Sequence, residues 1–182
     1  MVAEMIGTVE AGQYAIAARL VEFPVMFGSV VAAAYFPKFY SGATDPETLF
    51  RNLRKFNAVM AGLATVFVLV LFVLGSIIVG VFFGEGYDQA ALVLKYFLPC
   101  IYILFFRIVI SKWILATGIY WYSLFSHTLG AVVNIALNFI LIPEMGMNGA
   151  VLASIISYFA ACWIALLFSQ KTRVYLRNAY IG

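Results

Sequence analysis

Charge is scarce in this chain: Asp, Glu, Lys and Arg make up 10% of its 182 residues, against about a quarter in an average soluble protein. With 65% hydrophobic residues and a mean hydropathy of +1.02, a water-soluble globular domain is excluded, because a core of this size cannot enclose that much apolar surface. There are only two cysteines, Cys100 and Cys162, and one histidine, His127. Both cysteines lie inside apolar runs instead of at metal or disulfide spacing and read as small buried hydrophobes. No metal or cofactor is therefore expected, and the cysteines indicate no particular redox compartment. No phosphate-cradling glycine loop and no nucleophile beside a base is visible, so nothing supports an enzyme. The net charge of +3 does not call for a nucleic-acid partner, since basic residues also gather beside membranes for topological reasons.

What is abundant is long apolar runs, at about 13–35, 57–82, 90–111, 120–142 and 147–169, each near or above the roughly 20 residues a helix needs to cross hydrocarbon. Lipid offers no partners to backbone N–H and C=O groups, and the runs are too long for barrel strands. The expected fold is all-α, a polytopic transmembrane helix bundle of five spans in a lipid bilayer. A stub, 1–12, precedes the 13–169 membrane region, and a basic tail, 170–182, follows it. Thr44 or Asp45, with Pro46 next, is expected to cap a short surface helix carrying Arg51, Arg54 and Lys55.

Between spans one and two lie Lys38, Arg51, Arg54 and Lys55; between three and four, Lys112; after span five, Lys171, Arg173 and Arg177. The alternate segments carry only acidic residues, namely Glu4 and Glu10, Glu85 and Asp88, and Glu144. The positive-inside rule then places the N-terminus outside and the C-terminus in the cytoplasm. The outer stub has neither a basic n-region nor an apolar h-region, so it is no signal peptide. An incomplete chain is expected.

Ionisable residues inside spans cost about 2.5–3.5 kcal/mol at a helix centre and usually face a cavity or a partner. Arg19 and Glu22 sit i,i+3 in span one with Gly12, Ala15, Met26, Ser29 and Ala33 on the same stripe, either as one wall of a wet cavity or as a self-neutralising pair. Lys95 and Arg107 flank Pro99 in span three; each can snorkel, and with about 120° between them they share a cavity only through a proline kink. Span four carries Tyr120, Ser123, His127, Ala131, Asn134 and Asn138 at three- and four-residue steps, a polar stripe that either lines a path or hydrogen-bonds to neighbouring helices. In span five, Ala150, Ser154, Ser157 and Ala161 have the small-residue spacing of close helix packing.

Several stretches resemble the C-terminal half of polysaccharide flippases, the O-antigen (Wzx-type) branch of the multidrug/oligosaccharidyl-lipid/polysaccharide exporter superfamily. They are Gly12-Gln13-Tyr14-Ala15-Ile16-Ala17-Ala18-Arg19-Leu20, Tyr35-Phe36-Pro37-Lys38, Phe83-Gly84-Glu85-Gly86-Tyr87-Asp88-Gln89-Ala90, and Asn134-Ile135-Ala136-Leu137-Asn138-Phe139-Ile140-Leu141-Ile142-Pro143 followed by Gly146, Gly149-Ala150 and Ser154. The resemblance implies most of one lobe of a two-lobe transporter that moves a polyprenyl-pyrophosphate-linked oligosaccharide to the outer leaflet of the cell membrane. It implies Arg19, backed by Arg107 or Lys95, for the pyrophosphate, and Glu22 and His127 for ion coupling. Tyr120, Ser123, Asn134 and Asn138 would serve the sugar path or interhelical bonds, and a missing N-terminal lobe or partner subunit would complete the cavity. The alternatives are a non-transporting membrane subunit or truncated remnant, and a multidrug exporter of the same superfamily.

Overall fold

The computed structural model describes residues 2–41, 45–84 and 86–178. Its order is α1 (Val2–Ile6), α2 (Thr8–Ser41), α3 (Pro46–Phe83), α4 (Asp88–Phe97), α5 (Pro99–Thr117), α6 (Tyr120–Met145), α7 (Met147–Phe159) and α8 (Gln170–Leu176). Helix α7 runs on through a π turn, Ala160–Ile164, and a 3-10 turn, Ala165–Phe168. The chain is all-α among the described residues, and five helices are long and apolar enough to span a membrane. It is a polytopic membrane protein.

Helix α3 departs from the sequence expectation. Asp45 caps it, accepting from the Thr48 backbone N–H at 2.8 Å, with Pro46 in the first turn; Thr44, the other candidate cap, lies outside the described residues. No separate surface helix follows. No proline or glycine interrupts residues 47–61, so the helix continues unbroken to Phe83, about 57 Å at 1.5 Å per residue. That exceeds a hydrocarbon core of about 30 Å, and the excess carries Arg51, Arg54 and Lys55 at one end.

The third span breaks where Pro99 forbids the helical N–H bond: α4 ends at Phe97 and α5 starts at Pro99. Helix α5 then runs to Thr117, beyond the expected end at 111, so Lys112 is a helical residue and not a loop residue. The link to α6 is only Gly118-Ile119, with Gly118 left-handed at φ 72°. Helix α5 packs against α2, α3, α6 and α7, and its Ile101, Phe105 and Val109 are fully buried.

The α6–α7 hairpin turns at Gly146, φ 57°, a conformation that costs a residue with a Cβ. Gly149 follows because a Cβ there would collide with the Leu141 backbone carbonyl. Within the expected basic tail, Thr172 and Tyr175 of α8 are fully buried, with the Tyr175 ring 4.6 Å from that of Trp113. Arg173 Nε donates to the Leu167 carbonyl at 2.6 Å, satisfying one of the free acceptors where the fifth span ends. At the other end, α1 packs against α6, and a left-handed Gly7 separates it from α2.

Candidate functional site

The polar stripe of α6 does not face lipid alone. Ser123, Ser126, His127, Ala131 and Asn134 line two contiguous cavities of about 390 Å³ each, which share Leu104, Arg107, His127 and Ala161. Helix α5 and the α7 span floor this groove, and Tyr14, Val25 and Ser29 of α2 form its second wall. At its centre Arg107 Nη2 lies 3.0 Å from His127 Nδ1. Arg is a donor with no acceptor, so Nδ1 is the acceptor and the neutral ring carries its proton on Nε2.

The first cavity adds a second cation, Lys112, with Ser29, Ser111 and Tyr122. The Tyr122 side chain is buried, and its hydroxyl has no hydrogen-bond partner among the described residues. The second cavity is edged by a hydrogen-bonded chain across three helices. Tyr14 Oη and Ser154 Oγ are 3.0 Å apart; Ser157 Oγ donates to the Ser154 carbonyl at 2.9 Å. Asn134 Nδ2 donates to Ser157 Oγ at 3.2 Å, and Asn138 Nδ2 donates to Asn134 Oδ1 at 2.9 Å.

The structure brings only some of the sequence candidates together. Arg107, His127, Ser123 and Asn134 share the groove. Asn138 is buried behind Asn134 and lines neither cavity. Arg19 is 84% exposed on α2, its Nη1 3.8 Å from Glu22 Oε2, and neither residue lines the groove. Lys95 sits over the Phe72 ring at 5.9 Å, in a recess between α3 and α4 that includes Asp88. Tyr120 is exposed at the start of α6 and is also outside the groove.

Sequence reasoning did not connect Lys112, Ser111 and Tyr122 with Arg107. The i,i+4 spacing of Arg107 and Ser111 was a usable signal, because such residues share a helix face. The contact between Arg107 and His127 joins two helices and has no signature along the chain.

The chain is thus a multi-pass membrane protein, all-α among the described residues, with a polar groove between α2, α5, α6 and the α7 span. The model of the family described as polysaccharide biosynthesis protein matches residues 1–92, half of the chain. The chain belongs to the polysaccharide biosynthesis protein family. The match takes in the Gly12–Leu20, Tyr35–Lys38 and Phe83–Ala90 stretches and stops before the Asn134–Pro143 stretch. Searches of curated proteins and of solved structures returned no match.

Proposed function

We propose that the protein is a flippase-type transporter, moving a polyprenyl-pyrophosphate-linked oligosaccharide across the cell membrane for polysaccharide biosynthesis. In this reading the five spans are most of the C-terminal lobe of an O-antigen (Wzx-type) exporter, with the N-terminus outside and the C-terminus cytoplasmic. A further lobe or partner subunit closes the open side of the groove. The process is recognition and movement, without bond making.

The observation that supports this most is the groove centred on Arg107. The guanidinium lines both cavities, a second cation, Lys112, lines one, and among the described residues no carboxylate lines either. Such a site favours an anion, and guanidinium binds phosphate oxygens with paired hydrogen bonds. Serine hydroxyls and the Asn134 amide along the walls can exchange hydrogen bonds with sugar hydroxyls. Arg107, and not Arg19, is the residue on which the phosphate reading rests. The same basic lining weighs against a multidrug exporter of cationic compounds.

The test is binding to the purified chain in nanodiscs of a polyprenyl pyrophosphate carrying one N-acetylated hexosamine. Charge-assisted hydrogen bonds contribute about 1.5–3 kcal/mol, so Arg107→Gln should weaken binding by roughly 10- to 100-fold, and a lipophilic cation should not compete. Equal binding by the variant, or effective competition by the cation, would overturn the reading.

A further inference from the structure

We propose that the recess between α3 and α4 holds the headgroup of one zwitterionic phospholipid of the phosphatidylethanolamine class, with Asp88 on its ammonium and Lys95 on its phosphate. The site stands apart from the groove of α2, α5 and α6 and is independent of the transport reading. Ser76, Gly80 and Gly84 recur every four residues along α3, so this face carries no bulky side chain. Beneath them Leu94 of α4 closes on Gly75, where a Cβ would lie 2.7 Å from Leu94 Cδ2. Above that contact a Cβ on Gly80 or Gly84 would meet nothing within 4 Å. The result is an open recess of about 260 Å³, which Tyr87, Asp88 and Lys95 also line.

Its depth fits the headgroup layer. Ser76 lies about 32 Å along α3 from Lys55 at 1.5 Å per residue, roughly one hydrocarbon thickness. Asp88 opens α4, and Lys95 follows about two turns deeper on the same helix face. Among the described residues neither is in an ion pair; Glu85, in the turn before α4, lies outside them. The Lys95 ammonium rests 5.9 Å from the centre of the Phe72 ring, a weaker contact than a charge-assisted bond to phosphate. Its long stem can carry it up to the headgroups. In this lipid class the phosphate adjoins the glycerol and the primary ammonium lies farther out, so the two charges meet Lys95 and Asp88 in that order. The acyl chains then lie along exposed Leu69, Phe72 and Val73 of α3. The opposed charges also select: a purely anionic headgroup would face the Asp88 carboxylate, and the methyl groups of choline offer that carboxylate no N–H donor.

Native mass spectrometry of the full chain, released from mild detergent with defined amounts of dioleoyl lipid, reads occupancy directly. Dioleoyl phosphatidylethanolamine should bind about tenfold more tightly than its choline or glycerol counterpart. Asp88→Asn should reduce that preference to about twofold or less, and Lys95→Gln should weaken binding of the ethanolamine lipid about fivefold. Gly80→Leu fills the recess at a point where a side chain meets no neighbour; it should abolish the preference with thermal unfolding unchanged, which separates loss of the site from loss of the fold. Arg51→Gln, toward the other end of α3, should keep the preference. Equal binding of the three lipids by the unaltered chain, or tightest binding of the glycerol lipid, would overturn the proposal. So would a preference that survives Asp88→Asn or Gly80→Leu, undiminished binding in Lys95→Gln, or a preference lost in Arg51→Gln.

Discussion

Helices α3 and α6 bury nearly the same small share of their most apolar stretch, 17% and 22%, yet their mean hydropathies are 3.1 and 1.7. Both are exposed, but to different surroundings. Along the apolar part of α3 the exposed residues include Val59, Val66, Leu69, Phe72, Val73 and Ile77, an apolar surface that suits lipid. Along α6 they divide: Trp121, Leu124, Val132, Ile135 and Phe139 are exposed outside the cavities, while Ser123, His127, Ala131 and Asn134 line them. In a membrane protein, low burial alone does not identify a functional face. What sets α6 apart from α3 is a polar stripe at helical spacing that faces a second helix across a gap.

The contrast can be broken in order of size. The hairpin of α6 and α7, which carries one groove wall, depends on Gly149, because the carbonyl of Leu141 leaves no room for a Cβ. Gly149→Val should cost about 3 kcal/mol or more and remove most folded protein, measured as the monodisperse fraction after extraction in mild detergent. Leu69→Arg puts a charge on the lipid face of α3 and should cost about 2.5–3.5 kcal/mol in an insertion assay. Ala131→Arg, on the groove side of α6, should cost clearly less in the same assay.

A smaller effect is expected inside the polar wall. Asn134→Leu removes the bond to Ser157 and leaves Asn138 without its acceptor; interhelical bonds of this kind are worth about 0.6–2 kcal/mol. Thermal unfolding in detergent should fall accordingly, with the fold retained. The smallest effect belongs to Arg19→Gln, since the exposed pair with Glu22 lies off the groove. Affinity for the lipid-linked pyrophosphate should change by no more than about twofold, in line with the low worth of exposed ion pairs. A loss as large as that proposed for Arg107→Gln would move the proposed phosphate site from α5 to α2.

Much of the architecture was readable along the chain because it is local. Apolar runs of membrane length, the Asp45-Pro46 start of α3 and the break at Pro99 depend on neighbouring residues only. The polar stripe of α6 was equally plain, since Ser123, His127, Ala131 and Asn134 recur at helical spacing. Boundaries were harder. Charged residues were taken to mark the ends of spans, with Arg51, Arg54 and Lys55 on a separate surface helix and Lys112 in a loop, whereas the first three belong to the same unbroken helix as the second span and Lys112 lies within α5; a helix ends where its hydrogen bonds end, not where hydropathy falls. The pairing of Arg107 with His127 and the outward placement of Arg19 come from the rotation of one helix against another. Side chains on the facing helices set that rotation, and a single helix does not record it.

The central claim is that α6 has a wet face and α3 does not, and cysteine labelling measures this most directly. Cys100 and Cys162 are buried and would be replaced by Ala. Single cysteines at Ser123, Ala131, Leu69 and Val73 would then be exposed to a membrane-impermeant maleimide in intact membranes. The account predicts labelling at Ser123→Cys and Ala131→Cys and none at Leu69→Cys and Val73→Cys. Equal protection of all four positions, or labelling of α3 alone, would contradict it.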